Sequence, residues 1–270
     1  MEVDICMIKL FKTCAVVACV LMLTACASDK VVQDPAAKFK GLPEKSIYQG
    51  AERSLLEGDF PSAIKGFEAL DALYPFGQYA QKAQLDSIYA YYETGDVPST
   101  LATADHYIHL YPMGKHVDYA YYMRGIAEFY ENHGPLETYF PVDYSQRDVT
   151  PLRQAFLDFS RLVYRFPHSV YTPDARLRMV YIRNILAQHE LEIAHFYYER
   201  MAYVAAANRA NDVVDHFQQS RAIPGALVLM AESYIKLKDK PSAIRSLTVL
   251  RTNFPNDRNL ARLTKALSRI

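Results

Sequence analysis

The sequence predicts an all-α protein, a superhelix of about five stacked helix-turn-helix repeats, on three observations. Nearly the same unit is written three times: GDFPSAIKGFEALDALYP at 58–75, GDVPSTLATADHYIHLYP at 95–112 and KDKPSAIRSLTVLRTNFP at 238–255. Apolar residues recur at helical spacing; Phe60, Ala63, Ile64, Phe67, Leu70 and Leu73 share one face, with Lys65, Glu68 and Asp71 on another, and strand-type alternation is missing. Proline punctuates the helices. It sits in the first turn at Pro61, Pro98, Pro151 and Pro241, where its absent N–H is harmless, and just beyond the end at Pro75, Pro112, Pro167 and Pro255, where it stops the helix. A helix pair of this kind buries its apolar stripe only against its neighbours, so the pairs stack and coil around a concave face.

The elements follow in chain order. Lys9 and Lys12 make a positive start and CAVVACVLMLTA at 14–25 an apolar run too short to span a bilayer, so residues 1–25 read as a signal peptide. LTAC at 23–26 resembles the lipobox of bacterial lipoproteins. That resemblance implies cleavage before Cys26, S-diacylglyceryl and N-acyl groups on that residue, and, with Ala27 rather than aspartate next, delivery to the outer membrane of a Gram-negative cell. An ordinary signal peptide with an incidental cysteine is the alternative. Glu2 and Asp4 fit such a start poorly, which points to translation from Met7. Residues 26–43 then form the lipidated cysteine and a polar tether, spanning roughly 20–25 Å as a flexible coil.

From Glu44 the repeat period is about 34 residues, the tetratricopeptide (TPR) length, with its small-x₃-aromatic…Pro pattern. Ala63, Phe67 and Pro75 fit it in repeat 1, Ala155, Phe159 and Pro167 in repeat 3, and Ala243, Leu247 and Pro255 in repeat 5; repeat 2 has Thr100 where the small residue belongs. Repeat 4 lacks these prolines and is placed at about 189–218 on YYERMAYVAAANR alone. The expected division is repeats 1–2 at 44–115 and repeats 3–5 at 116–270, with an insertion, NHGPLETYFPVDYSQRDVT, at 132–150. A loop that long in a compact domain is usually functional or disordered, and a functional or partner-contacting role is expected of it.

Composition excludes several functions. Thirty basic and thirty acidic residues cancel, so no basic footprint for nucleic acid exists. All four cysteines lie at or before Cys26, which leaves the body without a disulfide framework or a thiol nucleophile. QHELEIAH has Ile193 where a zincin motif needs histidine, and His106 and His109 lack a third ligand nearby, so neither a metal nor a cofactor is expected. Glu128, Glu131 and Glu137 read as solvated charges rather than an acid/base pair. What stands out is aromatic: 21 Tyr, 13 Phe and no Trp, in phrases such as YAYYE at 89–93 and YAYYM at 119–123. Most of these rings are expected in the repeat core. The repeat pattern places Tyr48 and Glu52 of repeat 1 and Lys82, Tyr89 and Tyr92 of repeat 2 along the groove, which suits an extended peptide carrying aromatic residues.

YPFG at 74–77, MRG at 123–125, FPVDYSQRD at 140–148 and AHFYYERMAYVAAANR at 194–209 resemble, in order, segments of the BamD family, lipoproteins of the outer-membrane β-barrel assembly (BAM) machinery. The resemblance covers essentially the whole mature chain. It implies a non-enzymatic scaffold whose N-terminal repeats bind unfolded outer-membrane β-barrel proteins and whose C-terminal repeats dock a POTRA domain of BamA, with BamC and other BAM lipoproteins on the same scaffold. By match, Arg209 falls at the BamA contact, and Tyr74 and Phe76 at the edge of the client groove. His106 stands where family members often carry arginine, which implies a weaker charge for a client carboxylate. A pilotin-like lipoprotein and a lipoprotein that performs or activates peptidoglycan hydrolysis are the rival readings.

Overall fold

The computed structural model describes residues 35–131 and 144–270. Those residues form eleven α-helices and two 3₁₀ turns, with no strand among them. After a 3₁₀ turn at Pro35–Phe39, the helices pair in sequence. Repeat 1 is α1 (Glu44–Leu56) and α2 (Phe60–Leu73), and repeat 2 is α3 (Ala80–Glu93) and α4 (Val97–Leu110). Repeat 3 is α5 (Val117–Tyr130) and α6 (Thr150–Arg165), with a 3₁₀ turn at Tyr144–Gln146 before α6. Repeat 4 is α7 (Thr172–Glu199) and α8 (Tyr203–His216), repeat 5 is α9 (Ile223–Lys236) and α10 (Lys240–Asn253), and α11 (Leu260–Leu267) closes the stack.

The thrice-written unit is a turn with a defined job. Asp59, Asp96 and Asp239 are N-caps whose carboxylates accept from the backbone N–H of Ser62, Ser99 and Ser242 at 3.1–3.2 Å. Hydrogen bonds from Ser62 and Ser242 hold the Asp59 and Asp239 carboxyls below the usual range. The residue before each cap is left-handed: Gly58 at φ 78°, Gly95 at 73° and Lys238 at 59°. Glycine adopts that conformation freely; lysine does so against its side chain.

Repeat 2 accommodates Thr100 in full burial because the hydroxyl donates to the Asp96 carbonyl at 2.8 Å. Repeat 4 differs from the sequence expectation. Its first helix begins at Thr172, with Pro173 in the first turn, and runs 28 residues to Glu199. No glycine or proline interrupts 174–199, so nothing stops the helix near 189, where repeat 4 is expected to begin. The result joins two cores: Ala175, Ile182 and Leu186 of α7 belong to the central core, and Ala187, Leu191 and Ala194 to the C-terminal one. The central core also unites Ile88, Ala104 and Tyr107 with Val117 and Ala120, so it runs across the expected 115/116 boundary.

First helices touch one another along the stack, α1 against α3, α3 against α5 and α7 against α9, whereas among the described residues no comparable contact joins consecutive second helices. The stack therefore curls toward its first helices, which line the concave side. No described helix is long and apolar enough to cross a membrane, and no described group of His, Cys, Asp and Glu is placed to hold a metal ion. Cys26 and Glu137 lie outside the described residues.

Candidate functional site

The concave side carries a ladder of aromatic rings cross-linked by charges. At its N-terminal end, Tyr48 of α1 stacks on Tyr79 with centroids 4.9 Å apart, and its hydroxyl donates to Asp86 at 2.7 Å with Glu52 3.0 Å away as the alternative acceptor. Lys82 donates to Glu52 at 2.6 Å and lies 4.8 Å from the Tyr48 ring centroid. Burial, then the hydrogen bond to Asp86, pushes the Tyr48 hydroxyl far above its ordinary range, and burial raises the Asp86 carboxyl while Lys82 lowers that of Glu52. Tyr48 itself is only 2% exposed. This corrects the groove assignment for that residue: the ring is core, while its neighbours Glu52 and Lys82 reach solvent, because the repeat pattern gives the helix face but not the depth of the ring.

The ladder continues along the next first helices. Tyr89 is 39% exposed, edge-on to Phe60 at 6.2 Å, and Tyr92 is partly buried against the central core. Further along, Tyr122 stacks on Tyr171 at 4.8 Å and donates to Asp174 at 2.8 Å, with its hydroxyl pushed up to about 12 by burial and by that carboxylate. Arg178 binds Asp174 at 2.6 Å and lies within 5.3 Å of the Phe129 and Tyr130 ring centroids. Sequence reasoning missed Asp86, Tyr122, Asp174 and Arg178. A signal for the last two exists in TPDARLR at 172–178, a proline-started helix, but the expected start of repeat 4 lies beyond it.

The YPFG segment forms the turn between repeats 1 and 2. Tyr74 donates its hydroxyl to the Leu42 carbonyl at 2.8 Å, and the Glu44 carboxylate accepts from Tyr79 N–H at 2.6 Å, so the turn is tied to the start of the first repeat and the chain just before it. Pro75 and Phe76 are left outward, Phe76 92% exposed, which is a large ring offered to solvent at the end of the ladder.

MRG has a packing explanation. Arg124 binds the fully buried Asp158 through two bonds of 3.1 Å and also Asp105 at 2.6 Å, and Arg161 adds a bond to Asp158 at 2.8 Å. At Gly125 a Cβ would meet the Phe159 ring at 2.6 Å. Glu128, expected to be a solvated charge, is instead buried, and burial followed by the Asp158 carboxylate lifts its carboxyl to about 8. Glu131 is exposed, as the sequence suggested. His106, by contrast, lines with Glu68 and Asp71 a cavity between α2 and α4, on the convex side.

Arg209 lies on α8 and bonds through Nη1 to Glu190 of α7 at 3.3 Å. Glu190 also takes Arg153 of α6 at 2.7 Å. A buried carboxylate thus joins three helices through two arginines, and Arg209 is the C-terminal one, with 45% of its side chain exposed. His189 fixes the end of the insertion to α7 through a 2.6 Å contact with the Ser145 carbonyl.

A family model described as outer membrane lipoprotein, YfiO, matches residues 40–257. The chain belongs to this family. An outer membrane protein assembly factor BamD of Neisseria meningitidis serogroup B is 36% identical over 87% of this chain and 88% of its own. The protein of that name from Vibrio cholerae serotype O1 is 36% identical over 73% of this chain and 81% of its own. Among solved structures, a thermophilic TPR protein of Thermus thermophilus is 15% identical with a TM-score of 0.35, covering 83% of this chain and 99% of its own. The family match spans all five repeats, so YPFG, MRG and the Arg209 region lie inside it.

Proposed function

We propose that the protein is a non-enzymatic scaffold of outer-membrane protein assembly, held at the periplasmic face of the outer membrane by lipid on Cys26. The observation that carries this reading is the family match across the full repeat stack, joined to a concave side that offers aromatic rings and paired charges in place of a catalytic cleft. In this reading unfolded β-barrel proteins bind along the ladder at the N-terminal repeats, with Phe76, Tyr89, Lys82 and Glu52 at the accessible positions. Exposed rings beside charges suit an extended strand with alternating aromatic side chains.

The C-terminal repeats dock a POTRA domain of BamA, and BamC and other BAM lipoproteins use the same scaffold. Arg209 supports this assignment physically: only Nη1 is committed to Glu190, so the guanidinium retains donors for a carboxylate across an interface. The carboxylate pair that a cell-wall hydrolase needs is disfavoured, because Glu128 and Asp158 are both buried and Asp158 is tied to arginine.

The test is quantitative affinity purification of the tagged protein from detergent-solubilised envelopes. The expected result is a POTRA-containing β-barrel protein at near-equal stoichiometry, reduced by Arg209→Glu at unchanged helicity. Recovery of a secretin or a cell-wall enzyme instead would overturn the assembly reading, and unchanged recovery with Arg209→Glu would remove Arg209 from the interface.

A further inference from the structure

The cavity between α2 and α4 has no part in the concave ladder. It lies on the convex side between the second helices of repeats 1 and 2 and encloses about 250 Å³. Its polar lining includes Glu68 and Asp71 of α2, Gln84 and Tyr91 of α3, and Thr103 and His106 of α4; neither lysine nor arginine lines it. Three donors on its walls are already used. Tyr91 donates its hydroxyl to Glu68 at 2.6 Å, Gln84 donates Nε2 to Asp71 at 2.8 Å, and the Ser87 hydroxyl donates to the Ala83 carbonyl at 2.8 Å.

What remains is a surplus of acceptors. Each carboxylate has a second oxygen, and Gln84 Oε1 is buried with no hydrogen-bond partner, in a residue only 4% exposed. A buried acceptor left unpaired is costly, and two carboxylates beside it set the sign of whatever satisfies it. The same residues do not form a metal site, since no described group of three ligating side chains is close enough to hold an ion.

We propose that this cavity receives an arginine side chain from an extended segment of a partner protein. A guanidinium carries a fixed positive charge and five N–H donors in a planar fork, enough to serve Asp71, Glu68 and the Gln84 carbonyl together. The volume suits one side chain rather than a folded surface. The site faces away from the aromatic ladder, so it stands or falls apart from the client-binding reading.

The test uses the ¹⁵N-labelled full chain titrated with acetyl-Gly-Arg-Gly-amide, read by ¹H–¹⁵N shifts. Saturable shifts are expected at the Gln84 side-chain amide and along α2 and α4, with α9 and α10 unmoved. Asp71→Asn and Glu68→Gln, which keep the shape and the existing acceptor atoms, should each weaken binding about tenfold. The absence of shifts at these amides, or variants that bind as well as the parent, would overturn the proposal. Equal binding of the Gly-Gln-Gly peptide would show that charge is not read. Equal binding of the Gly-Lys-Gly peptide would reject the guanidinium assignment, and displacement of the arginine peptide by Mg²⁺ alone at equal charge would reassign the cavity to a free cation.

Discussion

Replacing Glu128 with glutamine is expected to stabilise the protein at neutral pH, and the effect should grow with pH. Burial first, and the neighbouring Asp158 carboxylate second, raise the Glu128 carboxyl from 4.5 to about 8. The folded state therefore keeps a proton that the unfolded chain releases. Below pH ~4.5 both states hold it and the slope is nil; between about 4.5 and 8 the folded state binds more protons, so stability falls as pH rises; above 8 the loss is complete. One proton corresponds to at most about 1.4 kcal/mol per pH unit, so the ceiling between pH 5 and pH 7 is about 3 kcal/mol. Glutamine has the same shape without the titration, and the buried Glu128 Oε2 has no hydrogen-bond partner to lose. For a chain of this size that ceiling corresponds to roughly 5–10 °C in Tm. Thermal melts followed by far-ultraviolet circular dichroism at pH 5, 6, 7 and 8 measure the difference between parent and Glu128→Gln. A difference that is flat across the series, or that favours the parent more strongly at pH 8 than at pH 5, would refute the buried-acid argument.

Gly125→Ala and Gly50→Ala are both substitutions inside helices, where alanine is favoured by about 1 kcal/mol. Gly50 has nothing within 4 Å of a new Cβ, so that variant should melt higher in urea; at Gly125 the Phe159 ring stands in the way, and overpacking of about 1–3 kcal/mol should reverse the sign. Lys238→Gly relieves the left-handed turn of repeat 5 and should gain about 0.5–1 kcal/mol, seen as a higher urea midpoint; the same turn in repeats 1 and 2 already has glycine. Arg209→Ala should cost less than about 1 kcal/mol, because Arg153 still holds Glu190, whereas Arg153→Ala with Arg209→Ala strands a buried carboxylate and should cost about 3–5 kcal/mol. A double-mutant cycle in urea measures that coupling, and strict additivity would remove Glu190 as the shared partner.

The architecture is legible because it is written locally. An aspartate cap and a proline in the first turn fix the second helices of repeats 1, 2 and 5 without reference to distant residues, as Asp59 and Pro61 do in repeat 1 beside the Ala63 and Phe67 pair. Repeat 4 escapes such a reading for the converse reason: α7 carries no internal breaker, and only its contacts with two cores reveal that one helix serves both. The candidate site is legible to the level of helix face. Glu52, Lys82 and Tyr89 follow from the repeat register, but Tyr48 needs depth, which depends on Tyr79 and Phe67 closing over it from other elements.

Charges are the least legible class, and the pattern in which they mislead is informative. Glu128, Asp158 and Glu190 sit among helical polar positions that look like solvated faces, yet all three are buried, and arginines from other helices reach two of them: Arg124 for Asp158, Arg153 and Arg209 for Glu190. Breaking one partner of such a cluster strands the other, so these pairs fix which helix sits beside which more than they add to stability. Arg124 links α5 to both α4 and α6, and Glu190 links α7 to α6 and α8. The two clusters therefore clamp the central repeats on either side of the junction where α7 passes from one core to the next. Under the proposed function, clients at one end and a partner at the other need a fixed distance between them, and among the described residues it is in these middle repeats that the buried charges lie.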